Sequence, residues 1–115
     1  MALLLSPTQS SRAAYVTWPS GHKVQYNTHA EKHVEFADIR ACLEQKGPYQ
    51  TWANQKTGEW YFPCQLPNGK WGTLIAKKAS GVYQEMSTYI KEPGTWSRYL
   101  QWMHDWGATR FTGPP

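Results

Sequence analysis

The 115-residue sequence predicts an α+β fold, in which an antiparallel four-stranded meander sheet is packed by a long N-terminal helix. An N-terminal β-hairpin and a C-terminal helix complete this prediction. It follows from a helical segment with clear start and stop signals, a series of β-rich runs separated by tight turns, and an aromatic stripe at helical spacing near the C-terminus. A chain of this length is one domain. We expect a flexible arm at 1–12, a single domain at 13–107 and an irregular tail at 108–115.

The β-hairpin and the first helix open the domain. Two β-rich runs, 14–18 and 23–26, flank the turn residues Pro19-Ser20-Gly21. The helix is predicted from about residue 29 to residue 46. Thr28 and Glu31 form a capping box at its start, and Gly47-Pro48 marks its end. Its apolar stripe consists of Phe36, Ile39 and Leu43.

Four strands with short connections follow the helix. Asn68-Gly69 predicts a type I′ hairpin turn because both residue types tolerate positive φ, and Ala79-Ser80-Gly81 supplies the last turn. The predicted strands are 49–55, 59–62, 70–76 and 82–90.

The last helix is predicted from about Thr95 to Trp106, with Gly107 as its stop signal. Trp102 is predicted to lie opposite the apolar stripe of this helix and to be exposed near His104. An exposed tryptophan is a contact point for a protein partner or a second copy of the chain. The apolar stripe consists of Trp96, Tyr99, Leu100, Met103 and Trp106.

Charge, cysteines and the N-terminal sequence limit the functional classes. The formal net charge of +4 permits an RNA partner without requiring one, and Lys77-Lys78 is the single adjacent basic pair. Cys42 and Cys64 lack zinc-binding spacing. They could pair in an oxidising compartment, but for a cytoplasmic chain we expect them to be reduced. The apolar run at 2–5 is too short for a signal peptide or a membrane span, which predicts a cytoplasmic location and no membrane partner.

His29 and His33 are candidate functional residues because they lie one helical turn apart at the border of the apolar stripe. To bind a metal ion, the two histidines would need further ligands from His22, Cys42 or Cys64. None of these three residues has a sequence spacing typical of a metal site. As an acid–base pair they need only a cation to hold a phosphate. No cofactor is expected.

Cleavage of RNA by its own 2′-hydroxyl fits the acid–base interpretation. One histidine removes the 2′ proton, the other protonates the leaving oxygen, and a cation stabilises the phosphorane. Arg40, Lys77 and Lys78 are the candidate cations, and Ser87, Thr88 and Tyr89 are candidates to hydrogen-bond the phosphate.

This pattern resembles the compact ribonuclease toxins of the barnase/EndoU/colicin/RelE-like group over about residues 28–91. The matching parts are Lys32-His33 in the helix and the segment 81–89, which ends in Ser87-Thr88-Tyr89. The resemblance implies metal-independent RNA cleavage with His29 or His33 and Thr88 in the site. The alternative is a non-catalytic interaction module that uses exposed aromatic residues, Trp102 and Trp52, to bind a protein partner, a small ligand or a second subunit.

Overall fold

A computed structural model of the chain describes residues 15–27, 36–90 and 95–115. The described part contains two helices and seven strands. In chain order these are β1 (Val16–Thr17), β2 (Lys23–Gln25), α1 (Phe36–Lys46), β3 (Thr51–Asn54), β4 (Glu59–Gln65), β5 (Trp71–Ala79), β6 (Val82–Ile90), α2 (Trp96–Asp105) and β7 (Thr109–Phe111).

All seven strands form one mixed sheet with the order β1-β2-β6-β5-β4-β3-β7. The α+β class is confirmed, but the predicted four-stranded antiparallel meander is wrong. The N-terminal hairpin joins the sheet because β2 pairs in parallel with β6. The segment expected to be an irregular tail contains β7, which pairs with β3. Both additions satisfy backbone groups along edges that a four-stranded sheet would leave open.

The first helix is also shorter than predicted. Instead of a long N-terminal helix, α1 spans 11 residues in the middle of the chain. Its stop signal is confirmed, because Gly47 adopts a φ of +75° and its N–H bonds to Leu43 O at 2.8 Å. The predicted capping box falls within 28–35, outside the described residues.

The two tight turns differ from each other. Ser80 and Gly81 both have positive φ, as a type I′ turn requires. In the Asn68-Gly69 turn, only Gly69 has a positive φ. The type I′ prediction for this turn is therefore wrong, because that type needs positive φ at both residues. Pro67 fixes its own φ near −65° and so favours a type I turn before the glycine.

Each face of the sheet is covered by one helix. On the α1 face, Gly72 lets the helix approach closely, because a Cβ there would lie 2.5 Å from Ile39 Cγ1. The α1 core comprises Trp18, Val24, Ile39, Cys42, Leu43, Phe62, Cys64, Leu66, Leu74, Ala76 and Tyr83. The α2 core comprises Trp52, Tyr61, Trp71, Ile75, Tyr99, Trp102, Met103 and Ala108.

The position of α2 is confirmed, but its exposed face was predicted wrongly. Trp102 is only 7% exposed, whereas Trp106 is 48% exposed. Trp102 follows Tyr99 by three residues, so the two side chains are about 60° apart on the helix and face the same core. Trp52, the other tryptophan of the interaction alternative, is buried as well.

Cys42 of α1 and Cys64 of β4 form a disulfide, so the expectation that they are reduced is wrong. The helix lies directly over this strand, which brings two cysteines 22 positions apart in sequence to a Cα separation of 6.3 Å. The bond ties α1 to the centre of the sheet. Neither of the two described helices is long and apolar enough to cross a bilayer.

Candidate functional site

A buried ion pair lies beneath α1. Arg40 Nη2 is 3.8 Å from Glu85 Oε1, and the glutamate side chain is fully shielded from solvent. The same oxygen accepts a 2.9 Å hydrogen bond from the backbone N–H of Asn27. Burying a carboxylate costs several kcal/mol unless charge and hydrogen bonds compensate it. A buried ion pair can serve either to favour one specific fold or to form part of a functional site. The residues around it help to distinguish these two roles.

The guanidinium of Arg40 is held between two aromatic rings. Its central carbon lies 3.7 Å from the ring centroid of Tyr26 and 3.8 Å from that of Phe36. The Tyr26 hydroxyl accepts from Trp18 Nε1 at 3.2 Å and donates to the Glu44 carboxylate. Burial, and then the bond to Glu44, raise the pKa of Tyr26, which keeps this phenol protonated. The hydrogen bonds hold the Tyr26 ring in place, and this ring and that of Phe36, which are nearly perpendicular at 78°, both contact the guanidinium.

A β-bulge at Met86 sets the direction of Thr88. Thr88 is opposite Leu74 and Glu85 is opposite Ala76, with Met86 as the extra residue between them. Directly opposed residues share a sheet face, and Leu74 and Ala76 both belong to the α1 core. Strict alternation from Glu85 would turn Thr88 toward α2 instead. The bulge thus brings Thr88 to the face of the ion pair, and bulges commonly re-aim side chains beside active sites.

Arg40 and Thr88 are therefore the two described members of the predicted catalytic set, and both lie on the α1 face. Since Leu74 and Ala76 are two residues apart on β5, Thr88 lies about 7 Å along the sheet from Glu85. The side chain of Arg40 keeps 22% of its surface exposed. Its Nε and Nη2 atoms are buried, so this exposed surface belongs to the rest of the side chain.

The other two predicted catalytic residues, His29 and His33, lie outside the described residues. The residues on either side of that segment both contact the ion pair. Asn27 donates its backbone N–H to Glu85, and the ring of Phe36 packs on Arg40. Asn27 and Phe36, the described residues that flank 28–35 in the sequence, therefore both contact this pair.

The residues predicted to bind RNA are divided between the two faces of the sheet. Lys77, Ser87 and Tyr89 lie on the α2 face, where the ring of Tyr89 stacks on Trp102. Lys78 lies on the α1 face, but its Nζ is 5.0 Å from the ring of Tyr83, near the opposite end of β6 from Thr88. These predicted phosphate contacts do not form a single surface.

The predicted partner-binding residues are separated too. Trp102 is buried against α2-face rings, while His104 is exposed on the same helix. The large exposed side chain on this helix is Trp106, whose ring centroid is 4.7 Å from that of Trp102.

The candidate extra metal ligands have other roles. His22 is buried, with Nδ1 2.6 Å from Ser20 Oγ. Burial, and then the charge of Lys78, lower the pKa of His22 to about 4, so its ring is neutral at neutral pH. Cys42 and Cys64 form the disulfide and offer no thiolate. Within 15–27, 36–90 and 95–115, no three His, Cys, Asp or Glu side chains gather as a metal site.

A surface cavity of about 210 Å³ adjoins the ion pair where β2 ends beside β6. A carboxylate, a phenol and three amide side chains line it, which suits a polar ligand group better than an apolar one. The lining residues are Gln25, Tyr26, Asn27, Gln84 and Glu85.

Sequence reasoning missed Glu85 and Tyr26. A signal for Glu85 was present, because alternation along β6 from the core residue Tyr83 directs Glu85 to the buried face. Tyr26 gave no such signal, since nothing local links the end of the hairpin to a residue of α1.

Comparison of the chain with protein families, with curated proteins and with solved structures finds no match. The functional interpretation therefore depends on the geometry of this chain alone.

Proposed function

We propose that this chain is an RNA-directed protein that cleaves RNA without a metal ion. In this mechanism, His29 or His33 removes the proton of the 2′-hydroxyl, whose oxygen attacks the adjacent phosphate. The other histidine protonates the departing 5′-oxygen. Arg40 stabilises the added negative charge of the phosphorane, and the hydroxyl of Thr88 donates a hydrogen bond to a phosphate oxygen.

The observation that carries the proposal is the bulge at Met86, which brings Thr88 to the face of the Arg40–Glu85 pair. The same bulge also turns Ile90 to the α1 core and Tyr89 to Trp102, and Thr88 between these positions and Glu85 stays partly exposed. A cation that contacts two rings and a hydroxyl on the same face are suitable groups for one phosphate.

Chain connectivity supports the same site. His29 follows Asn27 by two residues, and two residues of extended chain span at most about 7 Å. His33 precedes Phe36 by three residues, which span at most about 11 Å. In the sequence, both histidines are therefore within three residues of a group that contacts the ion pair.

The cellular compartment is a separate question. The cytoplasmic location inferred from the N-terminal sequence stays a prediction. The disulfide favours a chain that meets an oxidising environment, since such bonds are uncommon in the cytosol.

The test is incubation of the full chain with mixed-sequence RNA in EDTA, beside His29→Ala, His33→Ala and Arg40→Lys. Lys77→Ala is the matched control, because it removes an exposed cation from the opposite face. We expect each histidine variant to lose about 100-fold in rate, as general acid–base groups contribute that much. Arg40→Lys keeps the positive charge but loses the planar guanidinium with its paired N–H donors, so this variant should also cleave RNA more slowly. Lys77→Ala should match the wild type.

Cleavage that requires added divalent metal would contradict the metal-free mechanism. Absence of cleavage both in EDTA and with added divalent metal would contradict the RNA-directed function as a whole. It would favour the interaction module, now centred on the exposed Trp106 in place of Trp102. Measurement of the molar mass in solution with Trp106→Ala as the comparison variant would then test whether this ring joins two copies.

A further inference from the structure

A second and larger cavity, of about 600 Å³, lies at the opposite end of α1 from the start of that helix. Lys46, the last residue of α1, and Trp96, the first residue of α2, both line it. Small-molecule sites range from about 300 to 1,000 Å³, so one ring system with its substituents fits here.

Three aromatic rings form one wall of this cavity, and we call them the ring platform: Tyr49, Trp71 and Trp96. Their centroids are 4.6 to 5.2 Å apart, so the rings support each other. Tyr49 is nevertheless 60% exposed, although large aromatic residues are normally buried when neighbours allow it. A solvent-facing ring that is fixed by two others is a surface for stacking a planar ligand.

The charges around the platform favour an anionic ligand. Lys46 contributes a cation, and the Gln65 amide, whose Nε2 already donates to Gly69 O at 3.2 Å, has a second N–H donor. The N-terminal backbone amides of α2 start beside Trp96, where Thr95 is the N-cap. None of the described residues that line the cavity is acidic. A ring that carries negative charge, as a nucleotide does, matches both the platform and its surroundings.

We propose that the ring platform is a subsite that stacks one base of single-stranded RNA and holds the adjoining phosphate with Lys46. This inference rests on the proposed RNA-directed function and extends it to a second contact. Arg40 and Lys46 are six residues apart on α1, or about 9 Å along the helix axis. That distance corresponds to about three stacked nucleotides, and the two side chains lie about 120° apart around the helix.

The test is the affinity of the full chain for a fluorescein-labelled hexanucleotide of 2′-O-methyl RNA, measured by fluorescence anisotropy. This probe lacks the 2′-hydroxyl nucleophile, so binding is measured without cleavage. The variants are Tyr49→Leu, which removes the ring, and Tyr49→Phe, which keeps it. Trp106→Leu removes an exposed ring outside the cavity and is the control. The folding of each variant is checked by its thermal transition.

We expect Tyr49→Leu to weaken binding about tenfold or more, because stacking on one ring contributes at least that much per base. Tyr49→Phe and Trp106→Leu should stay within about twofold of the wild type. Equal affinity of Tyr49→Leu and wild type would overturn the subsite, as would failure of the wild type to bind the hexanucleotide. The labelled probe can be displaced by adenosine 5′-monophosphate or by unlabelled hexanucleotide. If both displace it at the same concentration, RNA is not the occupant, and a free nucleotide is favoured instead.

Cleavage of ordinary RNA by the same preparations separates the two proposals. Ring-dependent binding without cleavage contradicts only the ribonuclease proposal. Cleavage combined with an unaffected Tyr49→Leu variant contradicts only the subsite.

Discussion

The two faces of the sheet solve the packing problem with different chemistry. On the α2 face, stacked and edge-to-face rings such as Tyr61, Tyr89 and Trp102 fill the space beneath the helix. On the α1 face, the helix covers a buried ion pair and a disulfide as well as apolar side chains. Rings gain stability from burial at little desolvation cost, whereas buried charges are costly. Rings also pack in the α1 core, where Phe62 contacts Trp18 and Tyr83, so both faces supply stability. We expect the face that buries charge, the α1 face, to carry function as well.

The largest effect on stability should come from the α2 face. Trp102→Ala removes a buried ring that stacks on Tyr89 and should lower the free energy of unfolding by about 3 to 5 kcal/mol. Trp106→Ala, at a position that is half-exposed, should cost less, about 1 to 2 kcal/mol. Urea unfolding of both variants measures the difference. Equal losses would contradict the assignment of Trp102 to the core.

The ion pair of the α1 face should respond differently to single and double replacement. Glu85→Leu leaves Arg40 without its carboxylate and should cost about 3 kcal/mol or more. Arg40→Met combined with Glu85→Leu should cost less than the single change, because no charge remains buried. Unfolding free energies of the double-mutant cycle check this. Additive losses would mean that the two side chains do not interact.

The disulfide is the next contribution in size. Replacement of both Cys42 and Cys64 by serine releases a closed loop of 22 residues and should lower stability by about 3 kcal/mol. A reducing agent should lower the melting temperature of the wild type by a similar amount and leave the double variant unchanged. If the wild type melts at the same temperature with and without reductant, the two cysteines are not paired.

The smallest effect is pH-dependent and comes from His22. The folded-state pKa of about 4 lies below the value of 6.5 for an unperturbed histidine, so the unfolded chain binds more protons between these limits. Stability from this group is therefore lost as the pH falls through that window, by about 2 kcal/mol from pH 7 to pH 5. Unfolding of the wild type and of His22→Gln at both pH values should show the loss in the wild type alone. An equal loss in His22→Gln would assign it to other groups.

Local signals predicted local structure well. Gly47-Pro48 ends α1, and the hairpin and α2 lie where the sequence indicates, because turns and caps depend on a few adjacent residues. The parallel pairing of β2 with β6 is a contact between distant segments, and no local pattern specifies it. The same limit hid the pairing of β7 with β3.

The candidate site was predicted less completely, for a physical reason. Arg40 and Thr88 were both identified from residue type, but their common face depends on the bulge at Met86. Counting alternate residues cannot detect one unpaired residue in a strand. Counting alternate residues also fails for Ser87. Alternation from Glu85 predicts that Ser87 lies on the α1 face, but because of the bulge it lies on the α2 face, opposite Ile75.

Adjacent residues offer the most direct test of the claim that the α1 face carries function. We would measure RNA cleavage in EDTA by Thr88→Val and Thr88→Ser, with Ser87→Ala as the control on the opposite face. The account predicts a loss of about 100-fold for Thr88→Val, as for loss of one donor to a transition-state oxyanion. Thr88→Ser should retain most of the activity and Ser87→Ala should equal the wild type. Loss of cleavage in Ser87→Ala with an active Thr88→Val would contradict the account.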